Sequence, residues 1–350
     1  MDGMVKKDWQ KVLLEKHTFI IAEAGVNHNG DVVLAKELID AAAQAKADAV
    51  KFQSFRTERM VTKTAPKADY QKLHTQADES QFAMLKKLEL SKDAHHELFA
   101  YCRKKGIVFL STPFDEESAD LLEALGIEIF KIPSGELTNH PFLQYLAQKG
   151  RPLILSTGMA TMEEIRHSIQ VIQSQGKVEL ALLHCTSSYP TRPEDVHLRA
   201  MDTMVQAFGL PVGYSDHTLG LEVPIAAVAR GAKIIEKHFT LNKNLPGPDH
   251  AMSLTPQELD QMVQAIRKVE LALGSPEKKK QHSEQKTAEV ARKSLVAACD
   301  IKAGTVFSLD IIAIKRPGSG LPPSERLKLL GKKARVDISK DQLITAEMII

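Results

Sequence analysis

Short apolar, β-branched runs recur eight times in the first three-quarters of this 350-residue chain, and stretches of crossover length separate them. The runs are Phe19–Glu23, Ala47–Gln53, Ile107–Ser111, Ile127–Ile132, Pro152–Ser156, Val178–His184, Leu210–Ser215 and Ala232–His238. Between most of them lie amphipathic helical patterns, among them Val32–Lys46, Ser91–Lys105, Glu116–Leu125, Met162–Ile172 and Leu221–Ala229. Near-continuous apolar runs suit parallel strands covered on both faces. Eight such strands alternating with helices predict an α/β fold, a (β/α)8 TIM barrel over residues 1–276. A doubly wound open sheet is the alternative, and the strand count favours the barrel.

The pattern stops after Leu273-Gly274-Ser275-Pro276. Residues 277–293 hold six Lys or Arg against three Glu and no aromatic residue, which reads as a solvated linker or exposed helix rather than a nucleic-acid arm. Residues 294–350 carry short alternating runs and Pro/Gly turns (Arg316-Pro317-Gly318-Ser319-Gly320 and Pro322-Pro323), the pattern of a small β-rich domain with a marginal core of its own. One insertion, Ser54–Lys87 after the second strand, is long for a βα loop. It reads either as a functional lid or as a surface excursion with its own helix.

Charge and composition exclude several classes. Lys+Arg 46 against Asp+Glu 44 leaves +2, too little for a general field toward nucleic acid or an anionic membrane, so any anion must be held by a local site. No apolar run approaches the roughly 18 residues of a membrane span. Lys6 and Lys7 are followed only by Phe19–Ala22 before Glu23 interrupts, too weak for a signal peptide. The three cysteines Cys102, Cys185 and Cys299 are far apart, so a reducing cytoplasm is the expected compartment.

In a parallel barrel, chemistry sits at the C-terminal ends of the strands. Here those ends are polar on all eight. Lys51 and Lys131, with the hydroxyls of Thr112, Ser134, Ser156 and Ser215, make an anion-binding group. A buried ammonium needs an anionic partner, so the lysines are expected to hold a phosphate and a carboxylate, or else to pair with barrel glutamates. A Schiff-base lysine is a further reading. His217 and His238 end the last two strands, which are neighbours in a barrel, and two imidazoles there suit a divalent metal with open positions. Glu23 and Asp249 are carboxylates that would bind the metal or support its ligands. His28, His184 and His250 compete for these roles, and the remaining histidines are expected at the surface.

The segments AEAGVNHNGD (22–31), KFQ (51–53), STPFD (111–115), KIPSGE (131–136), LSTGMA (155–160), HCTSSYPT (184–191), GYSDHT (213–218), EKHFT (236–240) and LPGPDHAMSL (245–254) occur in this order. Together they resemble the N-acetylneuraminate (sialic acid) synthase family across essentially the whole chain, and the tail resembles the family's antifreeze-like (SAF) domain. The resemblance implies a transferase that condenses phosphoenolpyruvate with an N-acetylated amino sugar, using Mn2+ or Mg2+. It implies His217 and His238 as metal ligands. Lys51, Thr112, Lys131, Ser134, Ser156 and Ser215 would form the phosphoenolpyruvate pocket, and Glu23, Gln53, Tyr189, Glu236 and Asp249 the sugar pocket. Ser187, where sialic acid synthases can carry Asn, joins the substrate-binding set. Arg316 would reach the sugar in a neighbouring subunit of a domain-swapped homodimer; a tail packed on its own barrel is the other reading. Glu23 is expected to handle the attacking water and Glu236 the sugar, roles that are exchangeable.

The sugar expected from the resemblance is N-acetylmannosamine, giving N-acetylneuraminate. The alternative is an N,N'-diacetyllegionaminate synthase acting on a 2,4-diacetamido-6-deoxy sugar. Pseudaminate synthase fits less well with the PGPDH form at 246–250. More remote are a pyruvate-dependent metal aldolase and a carbohydrate-binding module with an inert barrel, against which the eight polar strand ends count.

Overall fold

The computed structural model describes residues 17–75 and 79–350; Lys6 and Lys7 lie outside them. The chain divides into two compact units, Met1–Gly274 and Ser275–Ile350. The first contains eight parallel strands: β1 (Phe19–Gly25), β2 (Ala49–Ser54), β3 (Val108–Pro113), β4 (Phe130–Ile132), β5 (Leu153–Ser156), β6 (Leu180–Cys185), β7 (Val212–Asp216) and β8 (Ile234–His238). Hydrogen bonding gives the order β3-β2-β1-β8-β7-β6-β5-β4. The two end strands, β3 and β4, also lie side by side, so the sheet curls into a barrel. The TIM barrel expected from the strand count is therefore the fold, and the open sheet is not.

Alternation along each strand explains both the core and the site. One series of side chains faces the helices: Ile20, Ala22, Val50 and Phe52 pack with Leu38, Ile39 and Leu98 in a continuous outer core. The other series faces inward, where Phe19, Ile21, Ala49, Leu110, Ile129, Ile154, Ala181, Leu183 and Ile234 form a separate buried cluster. One step further along that inward series the side chains turn polar. Glu23 follows Ile21, Lys51 follows Ala49, Thr112 follows Leu110, Lys131 follows Ile129, Ser156 follows Ile154 and Glu236 follows Ile234. The interior is thus an apolar plug beneath a polar floor.

Helix ends obey local chemistry. Asp31, Ser91 and Asp115 accept from Val33 N, Ala94 N and Ser118 N at the starts of helices Val32–Gln44, Lys92–Lys105 and Glu116–Leu125. Helix Pro256–Leu273 opens with a reciprocal Thr255–Glu258 cap and a proline in its first turn. The insertion after β2 folds into three short helices, Thr57–Met60, Asp69–His74 and Gln81–Lys86. Its Met84, Leu85 and Leu88 join Val26 and Phe55 in a small apolar cluster, with Met60, Val61 and Phe114 against it. Among the described residues no helix is long and apolar enough to cross a membrane.

The second unit pairs β9 (Ser294–Ala297) antiparallel with β10 (Ile312–Lys315). Its core is Leu295, Ala297, Ile301, Phe307, Ile312, Leu329, Ala334, Ile338 and Ile344. The polar stretch expected as a linker is largely exposed and contains the helix Gln285–Ala291.

One expectation fails here. His95 is not a surface residue: it is 2% exposed, on the inner face of its helix. Its Nε2 lies 2.7 Å from Ser54 Oγ and its Nδ1 2.8 Å from the Ser91 carbonyl, so two hydrogen bonds offset its burial.

Gly213 is the inward position of β7 below Ser215. A Cβ there would meet the Ile234 carbonyl and come within 2.7 Å of Ile234 Cβ and Leu183 Cδ2. Gly213→Ala is expected to cost about 1–3 kcal/mol of stability by overpacking. An unchanged urea midpoint would refute that close approach.

His28 is fully buried, and burial first, then the nearby His95 and His250, lower its pKa to about 4, against the opposing pull of Asp31. The folded chain therefore keeps His28 neutral where the unfolded chain, titrating near 6.5, takes up a proton. Stability from this site is full above about 6.5, falls as pH drops toward 4 and levels off below. The stability difference between the wild type and His28→Gln, followed by urea unfolding from pH 7 to pH 4, should trace that decline. A pH-independent difference contradicts it.

Candidate active site

The strand register brings the polar floor together. Glu23 pairs across to Lys51 on β2 and to His238 on β8, and Ser215 on β7 pairs with Glu236. Lys51 Nζ lies 2.8 Å from Glu23 Oε2 and 3.8 Å from Glu236 Oε2, and donates to Thr112 Oγ1 at 3.0 Å. Lys131 Nζ lies 3.3 Å from Glu236 Oε1, which also accepts from Ser215 Oγ at 3.1 Å. Gln53 Nε2 approaches Glu23 Oε1 at 3.5 Å. Both lysines rest against glutamates, and all four charged residues are at most 6% exposed.

The two glutamates are equally enclosed and yet differ. For Glu23, burial wins over Lys51, and its repulsion by Glu236 adds to the effect, so its pKa rises to about 7. For Glu236, burial is outweighed by two ammonium groups, Lys131 and then Lys51, and its pKa falls. Lys51 is raised, the two glutamates outweighing burial. Lys131 is lowered, chiefly by burial. Environments that push paired carboxylates apart separate a proton-exchanging group from a fixed anion.

His217 and His238 stand together on the same wall, with ring centroids 5.7 Å apart. Tyr189 lies against them, 4.2 Å from the His217 ring and 6.4 Å from that of His238. His217 Nδ1 is 2.9 Å from the Thr186 carbonyl, which can only accept, so Nδ1 carries the proton and Nε2 is left for a ligand. Burial would lower the His217 pKa, but Cys185 and the Thr186 carbonyl outweigh it and raise it. His238 is driven well down by burial, then by His217 and Lys51. Its buried Nδ1 has no hydrogen-bond partner, and Asp249 Oδ2 lies 3.9 Å away. Asp249 is itself raised to about 6 by burial. An orphaned imidazole nitrogen beside a second imidazole and a carboxylate fits a divalent cation. Among the described residues no three His, Cys, Asp or Glu side chains form a complete cage.

Opposite, Ser134 Oγ accepts from Gly158 N at 2.9 Å, and a Cβ on Gly158 would strike both Ser187 Oγ and Ser134 Oγ. Ser156 Oγ is buried with no partner. These hydroxyls and the bare glycine leave a small polar recess next to Lys131.

All of this opens on one cavity of about 650 Å³, lined by every expected barrel residue: Glu23, Lys51, Gln53, Thr112, Lys131, Ser134, Ser156, Ser187, Tyr189, Ser215, His217, Glu236, His238 and Asp249. Arg316, expected at a partner's sugar, is exposed in the second unit, just past β10. The rival histidines do not line the cavity. His184 bonds the Val196 carbonyl, and His250 is held between Thr240 and Asn29. Two groups of lining residues escaped the sequence reading. Cys185, 3.7 Å from His217 Nδ1, follows Leu183 in the inward series of β6, and period two would have found it. Met60, Gln71, Gln81, Met84 and Leu85 come from the insertion and carry no such signal.

Residues 38–278 match the NeuB family, and residues 292–350 match the SAF domain. The N,N'-diacetyllegionaminic acid synthase of Campylobacter jejuni is 51% identical over 94% of this chain and 99% of its own length. The enzyme of the same name from Legionella pneumophila is 48% identical over 95% of this chain and 94% of its own. Among solved structures, the N-acetylneuraminic acid (sialic acid) synthetase of Leptospira borgpetersenii in complex with citrate aligns with TM-score 0.69 and 37% identity, over 78% of this chain and 90% of that one. With most of its length and its entire barrel floor accounted for, the chain belongs to the NeuB family.

Proposed function

We propose that this enzyme is a phosphoenolpyruvate-dependent N,N'-diacetyllegionaminate synthase. It would join phosphoenolpyruvate to the open-chain aldehyde of a 2,4-diacetamido-6-deoxy-mannose and release phosphate. The resemblance in sequence put N-acetylmannosamine first. Two relatives at 51% and 48% identity that bear the legionaminic acid name move the diacetamido sugar ahead of it. The observation that carries the chemistry is the buried quartet Lys51–Glu23 and Lys131–Glu236 beside the His217–His238 pair.

Carbon 3 of the enol phosphate attacks the aldehyde carbon, water adds to carbon 2, and the resulting tetrahedral centre expels phosphate by C–O cleavage. Lys51 and Lys131 hold the carboxylate and phosphate of the enol ester, with the Ser134, Ser156 and Gly158 recess as further donors. That fixes the reacting carbons near contact, where gains from proximity are largest. Glu23, with its pKa about 7, takes the proton of the attacking water, while Glu236 stays ionised against the two lysines. Tyr189, Gln53, Ser187 and Asp249 orient the sugar. His217 and His238 would hold the divalent metal, Mn2+ or Mg2+, which when bound supplies positive charge to polarise the aldehyde.

The test is phosphate release from phosphoenolpyruvate with a panel of 2-acetamido sugars. Release is expected only when both substrates are present, and fastest with the 2,4-diacetamido-6-deoxy sugar; release independent of any sugar overturns the reading. Alanine at either His217 or His238 is expected to abolish turnover with metal supplied, and near-normal activity of both single variants would refute the metal assignment. Glu23→Gln is expected to lower kcat by about 10²–10⁴-fold. Wild-type kcat/KM should rise with pH through about 7 as Glu23 loses its proton, and the variant should lack that limb.

A further inference from the structure

The floor of the cavity explains how an enol ester is held, but not which sugar is accepted. The insertion between β2 and helix Lys92–Lys105 forms much of the remaining wall, and its chemistry is one-sided. It contributes Met60, Met84 and Leu85, backed by Val26 and Phe114, and two amides, Gln71 and Gln81. It contributes no cation. Among the described residues, Lys51 and Lys131 are the only Lys or Arg lining the cavity, and both belong to the floor.

The insertion is not poor in lysine, but none of its described lysines lines the cavity: Lys63 is exposed, and four others have partners elsewhere. Lys67 donates to Thr75 Oγ1 at 2.9 Å and Lys72 pairs with Asp69 at 2.7 Å. Lys86 pairs with Glu58 at 2.8 Å and Glu89 at 2.9 Å, and Lys87 pairs with Glu79. Asp69, which does line the cavity, is exposed and already paired with Lys72, so it offers no cation either. A phosphate on the far end of the sugar would meet thioethers and amides with no cation to pair it, and an unpaired anion is disfavoured in such surroundings. A methyl group and a second amide would meet partners of their own kind.

We infer that the insertion is the acceptor-selecting wall: Met60, Met84 and Leu85 take the C6 methyl and the acetamido methyl of a 2,4-diacetamido-6-deoxy hexose, Gln81 takes the second amide, and a 6-phosphorylated hexose is rejected. This rests on the synthase reading and deepens it. Met84 and Leu85 are 4% and 6% exposed and packed into the cluster with Phe55 and Leu88, so the wall is preformed rather than assembled around the sugar. Met60 and Gln81 are only partly buried and are the positions to change without opening a core cavity.

The experiment uses the purified full chain with phosphoenolpyruvate and divalent metal. It measures kcat/KM for the 2,4-diacetamido-6-deoxy hexose, for a 2-acetamido hexose and for the latter's 6-phosphate. The wild type should use the 6-phosphate at least about 100-fold less well than the diacetamido sugar. Met60→Ala and Gln81→Ala should each lower the ratio of diacetamido to monoacetamido kcat/KM about tenfold, the scale expected for losing one apolar contact or one amide partner. The rise in melting temperature caused by the diacetamido sugar should shrink in step. Good use of the 6-phosphate by the wild type overturns the inference. So do variants that depress both sugars equally, because a merely structural role moves both. A wild type that prefers the monoacetamido sugar sinks the legionaminate reading itself, and one that releases no phosphate with any sugar sinks the synthase reading.

Discussion

Two ammonium groups and two carboxylates, shut away from water inside the barrel, are the constraint from which the rest of this protein follows. None of the four tolerates burial alone. Their mutual distances are set by strand register, so the barrel must close in one register for the quartet to exist at all. The arrangement is balanced without being symmetric. Glu236 sits under both lysines and accepts from Ser215, whereas Glu23 has one lysine partner and a repelling neighbour, and these differences send their proton affinities in opposite directions. An incoming dianionic ester would take over the lysines, and the carboxylates would have to yield. Glu23, released from its lysine, would then be free to turn toward the attacking water.

Much of the fold was legible because parallel strands and their helices announce themselves by period. All eight runs became strands, shortened mainly at their starts: the fourth, read as Ile127–Ile132, is hydrogen-bonded only over Phe130–Ile132. The floor was legible for the same reason. Once Ile21, Ala49 and Ile129 face inward, Glu23, Lys51 and Lys131 must do so too. The histidine pair was legible because β7 and β8 are neighbours, and their rings do meet on one wall. Cys185 obeys the same rule, two residues after Leu183 on the inward series of β6.

What alternation does not govern was not legible. The insertion has no repeating period, and which side chains it turns toward the cavity depends on how its short helices dock on Val26, Phe55 and Phe114. Lys72, Lys86 and Lys87 pair with nearby acids of the same segment. His95 defied its helix's polar composition because the Ser91 carbonyl accepts from one ring nitrogen and the Ser54 hydroxyl can donate to the other beneath the surface. In each case a tertiary contact, invisible to local pattern, decided the outcome.

The inward series changes character partway up every strand, and this layering reaches beyond catalysis. The lower tier fastens the staves together, while the upper tier lines the cavity. Above the upper tier, much of one side of the cavity is a single contiguous segment, the insertion after β2. In a scaffold so partitioned, changes in that one loop could alter what enters the cavity while the floor beneath keeps its arrangement of charges.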